Sequence, residues 1–174
     1  LEDNLYIISY LRSTKIALVS TALCLLLGFP MAYVIARTPQ PWRNLLLLLV
    51  VLPFWTSFLL RIYALMVTLG QHGLINHLLL SLGLIHEPLT MLYTNGAVYL
   101  GIVYSYLPFM ILPLYASLEK LDPDVHEAAA DLGAKPLRVF YDVTLPLALP
   151  GIIAGSLLVF IPALGEFVIP ELLG

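Results

Sequence analysis

The sequence predicts an all-α, polytopic membrane protein, a helix bundle that forms a single transmembrane domain over residues 1–174. Sixty per cent of the residues are hydrophobic and only 11% are charged, and the mean hydropathy is +0.95. This composition lies outside the range of soluble domains. Four apolar runs are each long enough to cross about 30 Å of hydrocarbon as a helix. We therefore expect four membrane spans joined by more polar loops.

The apolar runs place the four spans at residues 16–36, 45–69, 96–118 and 147–168. Proline or glycine interrupts each span, which a membrane helix tolerates where neighbouring helices, side chains or water satisfy the freed backbone groups. An amphipathic lead-in is expected before residue 16. Apolar residues at helical spacing between positions 74 and 85 predict a further helix on the membrane surface.

The distribution of positive charge predicts the orientation. The 37–44 loop contains two arginines and the 119–146 loop contains three basic residues, whereas the 70–94 loop contains none. Because cytoplasmic loops carry the excess of Lys and Arg, the first two loops are expected in the cytoplasm and the third outside. Arg12 and Lys15 oppose this assignment, but they are two charges against five.

Several function classes have no support in the residues. Eight Lys and Arg without a basic patch argue against a nucleic-acid surface. A single cysteine, Cys24, excludes a disulfide framework, and His72, His77 and His86 lack the spacing of a helical metal pair. No G-x-x-x-x-G-K-[ST] phosphate loop occurs. We therefore expect no metal site, no catalytic residues and no cofactor in this chain.

The loop between the third and fourth spans, residues 119–146, carries a patterned stretch. Asp122 is a suitable N-cap for a short helix over Pro123–Leu132, and Gly133 can adopt the left-handed conformation that ends it. The pattern itself consists of Glu127, Ala128, Ala129, Gly133, Leu145 and Pro146.

This pattern resembles the EAA motif of permease subunits from bacterial ATP-binding-cassette (ABC) importers, with Val143 where the family usually has isoleucine. The resemblance implies a type I importer-like permease fold in the bacterial inner membrane. It also implies that the chain is a fragment carrying family spans two to five of six, and that the motif is the coupling element that docks into the ATPase subunit. A polar connecting loop is the simpler alternative for an isolated Glu-Ala-Ala.

Four further stretches resemble the permease subunits of polyamine (spermidine/putrescine) importers. They are residues 52–63, 107–110, 151–156 and 162–174. The last of them is more similar to the putrescine-system subunit than to its spermidine-preferring relative. The resemblance implies one half of a heterodimeric pore in membrane lipid, with a second permease subunit, a periplasmic polyamine-binding protein and an ABC ATPase dimer. ATP and Mg are then bound by the ATPase subunits.

A polyamine is a flexible chain of separated ammonium groups, so its path calls for carboxylates and aromatic faces. Arg61 and Glu166 are the ionisable groups clearly inside the spans, both in the outer third. Two interpretations stay open: a structural ion pair between them, or a Glu166 that faces the pore and attracts the cation. The rings that could line a cation path, or simply pack against neighbours, are Trp55, Tyr63, Tyr99, Tyr104 and Tyr106.

Three other functions compete with a polyamine permease. An ABC permease for another solute shares the EAA motif, but an anion carrier is expected to gather basic residues in its outer spans, and Arg61 is alone there. A stand-alone channel or secondary transporter has no use for a cytoplasmic coupling helix. A membrane-embedded enzyme lacks a nucleophile–base pair. We therefore expect a transport subunit that is not itself an enzyme.

Overall fold

The computed structural model describes residues 2–121, 133 and 135–174, with side chains from Ile7 onward. Helices account for the ordered elements of these residues, and the described ranges contain no strand. The predicted all-α bundle is confirmed. The predicted helix Pro123–Leu132, with Glu127, Ala128 and Ala129 of the motif, lies outside the described residues.

The helices form mostly over the apolar runs of the sequence. They are α1 (Glu2–Arg37), α2 (Trp42–Val51), a 3-10 turn (Leu52–Trp55), α3 (Phe58–Leu69), α4 (Leu74–Ser81), α5 (Asn95–Leu118), α6 (Pro136–Val139), a π-helical turn (Phe140–Thr144), α7 (Leu145–Leu164) and α8 (Val168–Leu173). Within the described residues, four stretches are long and apolar enough to cross a membrane: Ile7–Arg37, Phe58–Ser81, Asn95–Leu118 and Pro136–Leu164.

The first and second spans differ from the prediction. Helix α1 begins at Glu2 rather than near residue 16, because no proline or glycine interrupts the chain before Gly28. The predicted second span, 45–69, is not one helix but α2, the 3-10 turn and α3. Pro53 cannot donate to a helical hydrogen bond, and three residues later Thr56 is extended, with φ −98° and ψ 151°.

Helix α5 forms the centre of the bundle, between α1 and α7. Met110 of α5 is completely buried. Glycines let both neighbours approach α5 closely: a Cβ on Gly28 would lie 3.0 Å from Met110 Cγ, and a Cβ on Gly151 would lie 2.6 Å from the carbonyl oxygen of Pro113. Such small residues at helix crossings give van der Waals contact in a membrane, where apolar burial alone drives little association.

The short helix α8 folds back onto the outer half of α5. Its Ile169 and Leu173 are fully buried, and a Cβ on Gly101 would lie 2.8 Å and 2.6 Å from their side chains. The backbone N–H of Tyr93 donates to the carbonyl of Leu173 at 2.9 Å. The chain therefore turns sharply after α7, and its last described residues are part of the core.

We predict that Gly151→Ala destabilises the bundle by about 1–3 kcal/mol, because the new Cβ would lie 2.6 Å from the backbone carbonyl oxygen of Pro113, which cannot move aside as a side chain can, and 2.9 Å from the Cβ of Ser117. The thermal midpoint in detergent measures the effect. Gly96→Ala is the matched control, since its Cβ would meet only Thr94 Oγ1 at 3.6 Å. Equal midpoints for the two variants would contradict the close α5–α7 contact.

Candidate functional site

Glu166 lies just after α7 and is held by three donors. Its Oε2 accepts a hydrogen bond of 2.5 Å from the hydroxyl of Tyr106. Its Oε1 accepts from the backbone N–H groups of Val168 at 3.0 Å and Ile169 at 3.3 Å. These two N–H groups begin α8, where helix donors lack partners within the helix. The carboxylate therefore caps α8 and ties it to α5.

The predicted ion pair between Arg61 and Glu166 is wrong. The ion pairs found among the described residues are Arg43–Glu119 and Arg138–Asp142. Glu166 is satisfied by nearer neutral donors, one hydroxyl and two backbone N–H groups. Glu166 lies in the turn between α7 and α8, and similar depth in the membrane did not bring it within ion-pair distance of Arg61.

Arg61 is instead enclosed by aromatic rings. The residue is 8% exposed, and its guanidinium carbon lies 5.3 Å from the ring centre of Phe54 and 5.8 Å from that of Phe58. Such cation–π contacts contribute about 0.5–2 kcal/mol each. Its Nε and Nη1 are buried without a hydrogen-bond partner in the part of the chain that the structure describes.

A chain of ring contacts connects Arg61 to Glu166. Phe54, which contacts Arg61, packs edge-on against Phe109 at 4.9 Å. Phe109 lies 6.1 Å from the ring of Tyr106, and Tyr106 donates to Glu166. Sequence reasoning missed Phe54 and Phe109. Phe54 lies seven residues before Arg61, which is about two turns in an unbroken helix. This spacing was the available sequence signal for the contact between Phe54 and Arg61.

A cavity of about 480 Å³ opens beside Glu166, at the outer end of the bundle as the charge distribution orients it. Ser9, Arg12 and Ser13 of α1 line one side, and Glu166 and Glu171 line the other. Two carboxylates and one guanidinium leave a net charge of −1 if all are ionised. A cavity of this charge and size can hold an ammonium group but disfavours an anion.

Of the predicted pathway residues, the structure brings together Tyr106 and Glu166. Trp55 is 80% exposed, Tyr63 is 52% exposed and Tyr104 is 42% exposed. None of these three rings has a stacking or cation–π contact with another described residue. They remain candidates because an exposed ring is available to a ligand or a partner.

At the opposite end of the bundle, Arg43 joins three segments. It pairs with Glu119 at 3.1 Å, and it donates to the carbonyls of Thr38 at 3.0 Å and Ala36 at 3.1 Å. The turn after α1 and the end of α5 are thus fixed together where the 119–146 loop begins. This agrees with the prediction that the first two loops lie on the same side of the membrane.

Three residues of the predicted coupling pattern are described. Gly133 has φ +79° and open space around it, as predicted for a left-handed residue ending a helix. Leu145 and Pro146 lie where α7 continues from α6 and the π-helical turn, so Pro136–Leu164 is one helical stretch and the fourth span begins before the predicted residue 147. Gly133 lies in the loop before this stretch, and Leu145 and Pro146 lie within it.

Comparison with known proteins gives a consistent set of relatives. The family model described as "Binding-protein-dependent transport system inner membrane component" matches residues 25–174. The spermidine/putrescine transport system permease protein PotB of Escherichia coli (strain K12) is 48% identical over 172 residues, covering 99% of this chain and 62% of the relative. PotB of Haemophilus influenzae is 49% identical over 163 residues, covering 94% of this chain and 57% of the relative.

A more distant relative is the molybdenum transport system permease protein ModB of Mycobacterium bovis, 38% identical over 161 residues, covering 90% of this chain and 58% of the relative. This chain spans about 60% of the length of the curated relatives it matches. The match to the family model confirms the predicted inner-membrane location and the expectation of a transport component rather than an enzyme. The chain belongs to the family of binding-protein-dependent transport system inner membrane components.

Proposed function

We propose that this chain is a transmembrane permease subunit of an ATP-driven polyamine importer and forms half of its translocation pore. The observation that carries the proposal is the 48% identity over nearly the whole chain to a protein named as a spermidine/putrescine permease. In this proposal the other half of the pore is a second permease subunit. A periplasmic polyamine-binding protein delivers the substrate, and an ATPase dimer binds ATP and Mg.

The outer cavity supports a cationic substrate. Three donors fix the Glu166 carboxylate in place, and the cavity at its side leaves room for an incoming ammonium group. An ammonium ion that reaches this carboxylate forms a charge-assisted hydrogen bond, which is roughly twice as strong as a neutral one. Glu166 is thus proposed as the acid that receives the polyamine at the outer end of the pathway, with Tyr106 holding its position.

Exposed side chains near the helix break after Trp55 support a path deeper in the membrane. Trp55, Thr56 and Ser57 are all exposed, and Thr56 is extended. Backbone that is not helical is tolerated at membrane depth only where it is buried in protein or lines a water-filled cavity. Trp55 can there contact an ammonium group through its ring face. Tyr63 and Tyr104 are proposed as further rings of the pathway.

Coupling to the ATPase is proposed for the 119–146 loop. Arg43 fixes the start of this loop to the turn after α1, and Gly133 within the loop has a left-handed φ of +79°. In this proposal the ATPase moves Glu127, Ala128 and Ala129. The movement is transmitted to α5 at the start of the loop. At the end of the loop it is transmitted to α7 through Leu145 and Pro146.

A permease for another solute is the second candidate, favoured by the 38% identity to a molybdenum permease. The two candidates differ in the charge of the solute, and the cavity with two carboxylates and one arginine favours a cation.

Uptake of labelled putrescine and spermidine by the full-length complex in proteoliposomes tests the proposal. ATP-dependent uptake that unlabelled polyamine suppresses is expected. Uptake of molybdate but not of either polyamine would contradict it.

We predict that Glu166→Gln lowers polyamine uptake about tenfold, the effect of losing about 1.4 kcal/mol of charge-assisted bonding. The amide can still cap α8, so assembly and basal ATP hydrolysis are expected to persist. Glu87→Gln is the matched control, because Glu87 is an exposed acid in the outer loop. Arg61→Met is not expected to rescue Glu166→Gln, since no ion pair joins the two residues. Rescue would make the pair structural and the pathway assignment wrong.

We predict that Gly133→Val uncouples the complex, because a β-branched residue is poorly tolerated at φ +79°. Stimulation of ATP hydrolysis by loaded binding protein is the measurement. Gly83→Val is the matched control: Gly83 has φ +68° and equally open surroundings, but lies in the outer loop. Normal stimulation in Gly133→Val would refute the coupling role. Equal loss in both variants would show that backbone strain alone is responsible.

A further inference from the structure

Arg12 is a cation on the side of the membrane where the 70–94 loop carries none. The positive-inside tendency places basic residues at the opposite end of the bundle, so it does not account for Arg12. The surroundings of this residue supply a different reason for its position. Arg12 lines the outer cavity, across from the two acids Glu166 and Glu171.

The guanidinium of Arg12 pairs with neither acid. The two ion pairs among the described residues lie at the opposite end of the bundle and involve other side chains. Arg12 and Glu171 are both exposed, although they line the same cavity of about 480 Å³. Opposite charges that line one cavity without meeting leave room between them for a solute.

A positive charge in this cavity opposes the binding of a polyamine. An ammonium group attracted by Glu166 is repelled by Arg12, and Coulomb interactions extend over several ångströms in a partly solvated cavity. With all three groups ionised the cavity carries a net charge of −1, and without Arg12 it would carry −2. The repulsion grows with the number of ammonium groups, so it is larger for spermidine than for putrescine, which carries fewer.

Such opposition is useful in a transport pathway, where binding must admit the solute and still let it leave. Three donors hold the Glu166 carboxylate in place. The carboxylate therefore cannot rotate away to release an ammonium group without breaking these hydrogen bonds. A cation on another helix weakens the attraction without disturbing the acid, and Arg12 of α1 is placed to do so.

We propose that Arg12 limits how strongly the outer cavity retains a polyamine and thereby promotes its release into the deeper pathway. This inference rests on the proposed function and adds the residue that sets the strength of binding at the Glu166 site. Arg12 acts on the charge of the solute through space. Its effect therefore depends on the guanidinium charge rather than on a hydrogen bond.

The first test measures the electrostatic potential of the cavity without any polyamine. In the full-length complex, Phe167→Cys places a thiol on the cavity wall opposite α1. A trimethylammonium and a sulfonate thiosulfonate reagent modify this thiol, and the ratio of their rates reports the local potential because the thiolate fraction cancels. Arg12→Gln is expected to raise the cation-to-anion ratio about tenfold, about threefold from each reagent. Cys24 is completely buried, and mass spectrometry identifies the labelled peptide.

Two variants are the controls for this measurement. Lys15→Gln removes an exposed cation of the same helix that does not line the cavity, and it should leave the ratio unchanged. Arg12→Lys keeps the charge and should retain the wild-type ratio. A wild-type ratio in Arg12→Gln, or an equal change in Lys15→Gln, would overturn the inference.

The second test measures retention and release of the solute. Binding of labelled putrescine and spermidine is measured on the full-length complex in nanodiscs, without binding protein or ATP, and uptake is measured in proteoliposomes. Arg12→Gln is expected to bind putrescine about threefold more tightly and to lower the maximal uptake rate, with larger effects for spermidine. Weaker binding, or tighter binding with an unchanged maximal rate, would contradict the release role of Arg12.

Failure of this inference is distinguishable from failure of the proposed function. A complex that imports polyamine but keeps the wild-type reagent ratio in Arg12→Gln overturns the role of Arg12 and leaves the substrate assignment intact. Absence of polyamine uptake by the wild-type complex overturns the proposed function, whatever the reagent ratio.

Discussion

The three hydrogen bonds to Glu166 organise the outer end of the molecule. One carboxylate joins Tyr106 in the middle of α5 to the first N–H groups of α8, immediately after α7 ends. Without this acceptor, α8 would begin with unsatisfied donors in the outer membrane region. The folding of α8 onto Gly101 and the position of the main acid of the outer cavity both depend on the same residue.

The arrangement gives one charge two functions that do not exclude each other. A carboxylate has about four lone-pair positions, and three hydrogen bonds leave capacity for one more donor on the side of the cavity. The donors fix its orientation before a substrate arrives, so little ordering is required on binding. A residue that caps a helix can in this way also be a binding residue. Because Tyr106 and the first N–H groups of α8 already donate to the Glu166 carboxylate, Arg61 is not needed to neutralise it.

The sequence predicted correctly those features that depend on neighbouring residues or on overall composition. Composition and run length gave the helical bundle, and the glycine after a helix-forming stretch gave the left-handed Gly133. It failed where the structure depends on contacts between residues far apart in the chain. An ion pair of Glu166 with Arg61 was one interpretation because the two lie at similar depth, but the Glu166 carboxylate accepts from Tyr106, sixty residues before it, and from the first N–H groups of α8. The break after Trp55 was missed by a few residues, because the chain continues through a 3-10 turn after Pro53 before it becomes extended.

If a polyamine enters beside Glu166, a photoreactive polyamine should attach to the residues around that carboxylate. An aryl-azide derivative of spermidine is photolysed with the full-length importer in proteoliposomes, and the labelled peptides are sequenced. Labels are expected on the residues around the outer cavity, in the α1 segment containing Ser9 and Ser13 and at Phe167. Unlabelled spermidine should prevent this labelling. Labels absent from both segments, or unaffected by the competitor, would contradict entry beside Glu166.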